Sequence, residues 1–305
     1  MRAVVATRIG GPEVMEVQDV PRPEPGPGQK LIKVRRAGVN FADLSSTQGK
    51  YAMAPPPPFI PGLEVSGHDQ DGKPVFAIVP SGGYAEYVVA DLAWSADGLN
   101  LDDAGGYALT GLTAFYALRH VGRLQPGETV LVTAAAGGAG SCAIQVARAL
   151  GAGRVIGMAG SPEKRARVLE LGADAAIDYE EPVPGKVDVM VDMVGGDVFA
   201  RAVDSMAVFG RMVCIGSASG QVQQIPTVGV LRMLGVGVFP FSMGALRGRD
   251  PALFLETSVE GIELIRSGKL RPPIGRVLPL AEAAEAHRLV GSRATMGKVL
   301  LAVED

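Results

Sequence analysis

TVLVTAAAGGAGSCAIQVARALGA, residues 129–152, reads as a buried strand, a glycine-rich turn and the opening of a helix. TVLVTA is continuously apolar, as a strand covered on both faces must be. From Thr129 onward such runs alternate with helical ones: a helix at 140–150, RVIGMAG, a helix at 162–171, then AAIDY, VDVMVDMV, RMVCIG and GVGVF. That alternation predicts an α/β unit on a parallel sheet. Residues 1 to about 106 differ, with short extended runs such as KLIKVRRAGV and GYAEYVVA cut by PRPEPGPGQ and DQDGK. They predict a compact, mostly β domain. The tail has helices near 251–267 and 281–290 and a closing strand GKVLLAV, so it is expected to fold back and finish the first domain.

The bulk properties exclude several classes. A chain of 305 residues exceeds one average domain, and 47% apolar with 20% charged residues is ordinary globular composition. A net charge of -3 offers no general attraction to nucleic acid or an anionic membrane. The opening MRAVVATRIGGPEVMEV has too short an apolar run for a secretory signal. MLGVGVFPFSMGAL (233–246) is cut by glycines and a proline, so no membrane span is expected. Two cysteines, Cys142 and Cys214, make no disulfide framework, and the cytoplasm is the expected compartment. Cys142, in the first turn of its helix, is read as a small packed residue.

The turn itself is nearly a dinucleotide fingerprint. In G-x-G-x-x-G the glycines allow a tight turn, close approach of backbone to pyrophosphate, and close helix–strand packing. Here the three positions are Ala135, Gly137 and Gly140, with Gly138 as an extra. Ala136, Gly137, Gly138 and Ala139 are therefore the candidate phosphate contacts, and the helix from Gly140 points unpaired N–H groups at an anion.

The second strand bears on which dinucleotide. An NAD site places an acid about 20 residues beyond the glycines, on the ribose hydroxyls. Counting 19 from Gly140 reaches Ala159, followed by Gly160, Ser161, Lys164 and Arg165. This set repels nothing on a 2′-phosphate and offers it a hydroxyl and cations, which predicts NADPH. Ser161 also reads as a helix N-cap with Pro162 at the first position, a role compatible with binding phosphate.

AGVNFADLSSTQGKY, PPFIPGLEVSGH, GGYAEYVV, GLTAFYAL, the 126–152 segment, VDMVGGDVF, IGSASG and the closing GKVLLAV stand in a telling order. The chain resembles the zinc-free quinone oxidoreductase (zeta-crystallin-like) branch of the medium-chain dehydrogenase/reductase superfamily, over nearly its whole length. The resemblance implies a Rossmann-type doubly wound NADPH-binding domain at 111–245 inserted into a GroES-like catalytic domain at 1–110 and 246–305. It implies a cofactor in the cleft between them and a homodimer joined near GVGVF (235–239). Asn40 and Tyr51 carry over as catalytic candidates, and Asn40, Thr113, Tyr179, Val194, Gly195, Gly216, Ser217 and Phe239 as cofactor contacts. Asp43 is expected to be a structural hydrogen-bond partner. Lys298 is a weaker cofactor candidate, since a lysine at a strand start is ordinarily solvated. The segment after Gly67, HDQDGKPVFAIVPS, is shorter than the family's, so the β domain is trimmed where part of the cleft wall could lie.

Zinc-dependent relatives hold catalytic metal with a cysteine near the position of Asn40 and a histidine near that of Leu63. Neither is present, and His68, His120 and His287 are scattered. A catalytic zinc needs about three protein ligands, so a metal-free site is expected. Without a Lewis acid, reduction of a small electron-poor acceptor, a quinone or an α,β-unsaturated carbonyl, is the expected reaction. The alternatives are an enoyl-thioester reductase and an NADPH-binding protein of weak catalytic power.

Overall fold

The structure, a computed structural model, describes residues 1–223 and 228–303. It divides into two compact units, Met1–Leu109 with Pro272–Asp305, and Thr110–Arg271.

In the second unit the apolar runs form a six-stranded sheet whose pairings are all parallel. Its order is Ala175–Ile177, Arg154–Met158, Thr129–Val132, Val187–Asp192, Met206–Cys214, Gly237–Pro240. The chain builds outward from Thr129–Val132, then returns to its other side and builds outward from Val187–Asp192. Ligands of open parallel sheets bind beyond the strands' carboxyl ends at such a reversal. Val130, Leu131, Val132, Val189, Met190 and Val191 have no accessible surface, and each such side chain contributes roughly 1.5–3 kcal/mol of burial.

The return to the first unit comes at Pro272, not at residue 246 as the tail's mixed character suggests. Helices Met243–Arg249 and Pro251–Arg266 stay with the second unit, where Met243, Phe254, Ile262 and Ile265 are buried. The Tyr116 hydroxyl donates to the Phe254 carbonyl at 2.7 Å and the two rings stack. Gly261 lets the longer helix sit against Leu112 and Phe115. An apolar stripe shows that a helix is covered, not by what.

The first unit holds a seven-stranded sheet, ordered Ile274–Pro279, Lys298–Ala302, Lys30–Val39, Glu64–Asp69, Pro74–Ile78, Leu92–Ser95, with Tyr87–Ala90 also paired to Lys30–Val39. The closing strand therefore lies inside the sheet. Its register sets Val299 opposite Val39, while Gly38 stands opposite Glu64. The shortened segment is a hairpin from Glu64–Asp69 to Pro74–Ile78. Its turn is held by Asp69, whose carboxylate accepts the Asp71 and Lys73 amides and the Lys30 ammonium.

Candidate active site

Ala134 opens the glycine turn at φ +47°, in the left-handed region, and the Gly137 N–H closes on its carbonyl at 2.9 Å. Ala135, standing where the fingerprint has its first glycine, is wholly buried. Its methyl has room because the neighbouring strand carries Gly157, where an added Cβ would stand 2.8 Å from the Ala135 Cβ. Gly157 thus supplies, from across the strand pair, space that the fingerprint finds at its own first position. Gly137 has φ -79°, open to any residue, but a Cβ there would press on the Ala134 carbonyl oxygen at 3.2 Å. At Gly140 a Cβ would overlap the Ala134 and Ala135 backbone.

Helix Gly138–Ala149 has no side-chain cap, and its first intrahelical bond is Ser141 N–H to the Gly137 carbonyl. The amides of Gly138, Ala139 and Gly140 precede that bond, as an anion site requires. Ala136 is buried beneath them, and Cys142 is packed with no exposure.

At the end of Arg154–Met158, Ser161 caps helix Pro162–Glu170, accepting the Lys164 N–H at 3.3 Å. The Tyr179 ring lies along Gly160, 3.4 Å from where a Cβ would be. Gly160, Ser161 and Tyr179 are thus brought together, with Lys164 in the helix's first turn. Burial lowers the Lys164 pKa. Arg165, grouped with Lys164 from sequence, is instead committed to Asp178 at 2.6 Å and to the Ala159 carbonyl. Counting to residue 159 also overlooks Glu163, whose own amide and the Ser161 hydroxyl hold its carboxyl below the usual range.

The loops carrying Val194, Gly195, Gly216 and Ser217 are organised by Asp192, which sequence reasoning missed. It has no accessible surface. Its carboxylate accepts the Thr133 hydroxyl at 3.0 Å, the Val194 and Gly195 amides, each at 3.1 Å, and the Gln223 amide at 2.8 Å. Gln223 also donates to the Gly216 carbonyl, and the Ala218 and Ser219 amides reach Met193 and Val194. Gly195 has φ +74°, and a Cβ there would meet the Gln221 carbonyl oxygen. An acid ending the apolar run VDVMVD was the available signal, because a buried carboxylate needs donors. Burial, then the Asp192 charge, push the Cys214 thiol up to about 12.

Thr113 lies on helix Ala108–Tyr116, half-buried, its hydroxyl 3.7 Å from the Met243 sulfur. Phe239 lies on strand Gly237–Pro240. Its ring leans back over Gly237, with the Arg123 guanidinium 5.8 Å from its centroid.

The first unit contains a buried polar chain. Lys298, read as a solvated strand-start residue, is 2% exposed. Its ammonium donates to Glu64 Oε1 at 2.7 Å, Asn40 Oδ1 at 2.8 Å and the Val39 carbonyl at 3.2 Å. Asn40 Nδ2 donates to the same Glu64 oxygen at 3.0 Å, and Glu64 Oε2 accepts the Leu109 N–H. The Asn40 N–H donates to Asp43 at 2.8 Å, which also accepts the Tyr84 hydroxyl, itself 3.2 Å from His287 Nε2. Burial raises Asp43 to about 7 and lowers His287 to about 4. Tyr51 is half-buried in the turn after helix Phe41–Thr47, where its carbonyl accepts the Ala54 N–H.

Residues 26–69 match the alcohol dehydrogenase GroES-like domain, and residues 171–301 the zinc-binding dehydrogenase family. Quinone oxidoreductase-like protein 2 of Bos taurus is 33% identical, across 99% of this chain and 93% of its own. The quinone oxidoreductase of Pseudomonas aeruginosa is 34% identical, across 96% of each chain. The fold matches the quinone oxidoreductase from Thermus thermophilus, solved also in complex with NADPH, with a TM-score of 0.89 and 38% identity over 99% of this chain and 100% of that one. The second family's description meets no fitting donor set among the described residues. Among the described residues no three His, Cys, Asp or Glu side chains are grouped to hold a metal ion. Leu63 is packed apolar, and the cation beside Glu64 is the Lys298 ammonium.

Proposed function

The chain belongs to the quinone oxidoreductase branch of the medium-chain dehydrogenase/reductase superfamily, and from that premise we propose a zinc-independent, NADPH-dependent reductase of quinones or α,β-unsaturated carbonyls. The observation that carries the cofactor choice is the grouping of Gly160, Ser161, Lys164 and Tyr179 beyond a strand with no acid at Ala159. The NADPH complex of the Thermus thermophilus protein supports it.

Bound NADPH supplies the hydride. The chain's own residues bind and orient. The amides of Gly138, Ala139 and Gly140 face the pyrophosphate with the positive end of their helix. Ser161 and Lys164 meet the 2′-phosphate, and the Asp192-braced loops hold Val194, Gly195 and Ser217 toward the nicotinamide end. Asn40 contacts the substrate oxygen or the nicotinamide ribose, and Tyr51 donates a hydrogen bond at the pocket rim. An electron-poor acceptor takes up the arriving charge itself, so positioning does most of the work. The protein is read as a cytoplasmic homodimer meeting along Gly237–Pro240, which ends its sheet among the described residues.

A panel of quinones, enones and enoyl thioesters, followed by NADPH consumption with and without a chelator, tests this reading. Turnover of quinones or enones, unaffected by the chelator, is expected. Stoichiometric NADPH binding with no turnover across the panel would overturn it, as would loss of activity restored by zinc.

A further inference from the structure

Sheet register brings three residues remote in sequence to one buried point. Val299 faces Val39, so Lys298 falls beside Asn40, and Glu64 arrives from the strand paired on the other side. Two glycines leave the space. A Cβ at Gly38 would collide with the Glu64 side chain, and one at Gly106 would press on Lys298 Cγ and Cε at 3.2 Å.

The consequence for Asn40 follows from counting donors and acceptors. Its Oδ1 accepts from Lys298 and its Nδ2 donates to Glu64. A flipped carboxamide would turn NH2 toward an ammonium and oxygen toward a carboxylate, two repulsive contacts in a buried site. Only one orientation is therefore allowed. It leaves an Nδ2 hydrogen whose further contact is Gly38 O at 3.4 Å. Asn40 can serve a ligand with this hydrogen while its amide plane stays fixed.

We propose that Lys298 and Glu64 are positioning residues that lock the Asn40 carboxamide in the orientation used in catalysis. The proposal rests on the reading of Asn40 as a group that touches substrate or cofactor.

The chain contains two asparagines, Asn40 and the exposed Asn100. Asparagine-selective nitrogen-15 labelling therefore gives two pairs of side-chain amide signals, one pair an internal control. In wild type the Asn40 amide should exchange slowly and Asn100 rapidly. Lys298→Met/Glu64→Gln removes both charges together, so no lone charge is buried, and should speed Asn40 exchange at least about tenfold with Asn100 unchanged. Its kcat should fall about tenfold to hundredfold, as misplacement of a catalytic group does, with NADPH affinity held within about twofold. Asn40→Ala should lose a similar factor, and the triple variant no more, because the charged pair acts through Asn40. Gly106→Ala, which crowds Lys298 and removes no charge, gives a milder form of both effects if the double variant does not fold.

Three results are decisive. An Asn40 amide still protected in the folded double or crowded variant overturns the lock, as does a kcat loss that persists undiminished in the Asn40→Ala background. Wild-type turnover by Asn40→Ala, with exchange in the double variant accelerated, removes the catalytic reading of Asn40 and leaves the lock as a structural device.

Discussion

The Thr133 hydroxyl donates to the Asp192 carboxylate at 3.0 Å, joining the ends of the two strands between which the strand order of the parallel sheet reverses. The same carboxylate gathers the amides after one strand and, through Gln223, the loop after the next. Its removal should disorder the crevice as well as weaken the fold. Each buried donor left without a partner costs about 1–3 kcal/mol. Asp192→Ala should lose several kcal/mol in urea unfolding, Asp192→Asn less, and both should bind NADPH more weakly. An Asp192→Ala protein of unchanged midpoint would contradict this.

Lys164→Ala should weaken NADPH and barely change NADH. A hydrogen bond to a charged group in a partly desolvated site contributes roughly 1.5–3 kcal/mol, or about tenfold to hundredfold in affinity. Ser161→Ala should lose less, because the helix amides remain. Titration of both cofactors decides; equal losses for the two would move the phosphate pocket elsewhere.

The space at Gly157 predicts a compensating pair. Gly157→Ala sets a methyl against Ala135 and Val168, and overpacking of this kind costs about 1–3 kcal/mol. Adding Ala135→Gly should recover part of that stability, since one of the two collisions disappears. Independent, additive losses in a double-mutant cycle would show that the two positions do not share the space.

Asp43 and His287, joined through Tyr84, should pull stability in opposite directions with pH. Asp43 rises from 3.8 to about 7 on folding, so its contribution is complete below about pH 4 and is lost as pH climbs to 7. His287 falls from 6.5 to about 4, so its contribution is complete above about pH 6.5 and is lost as pH drops to 4. Each limb has a slope of at most about 1.4 kcal/mol per pH unit, and between about pH 4 and 6.5 the two oppose. Relative to wild type, Asp43→Asn should gain stability as pH rises through that window and His287→Gln should lose it. Parallel pH profiles for all three proteins would refute both assignments.

A dimer along Gly237–Pro240 should be broken by charge at the edge. Val238→Arg places a cation on a short half-buried strand, and such a charge opposes edge-to-edge pairing. Light scattering at micromolar concentration should show half the wild-type mass. A wild type already monomeric would rule the contact out.

The strand–turn–helix at 129–152 and the apolar runs that follow were legible in the sequence because backbone rules are local. Glycine, proline and the period of apolar residues constrain the chain within a few positions of themselves. The absent acid at Ala159 and the capping serine at 161 were legible for the same reason. Side-chain partners are not local. Lys298 and Asn40 are 258 residues apart and meet only because two strands pair in one register. Arg165 was indistinguishable from Lys164 until Asp178 was placed beside it. The helix Pro251–Arg266 showed an apolar stripe but not the unit that covers it, hence the boundary at Pro272. Local residue patterns set which elements form and in what order. Which charges are buried together was settled by strand pairing, because a charge enters a sheet interior only where register supplies its counter-charge and hydrogen bonds.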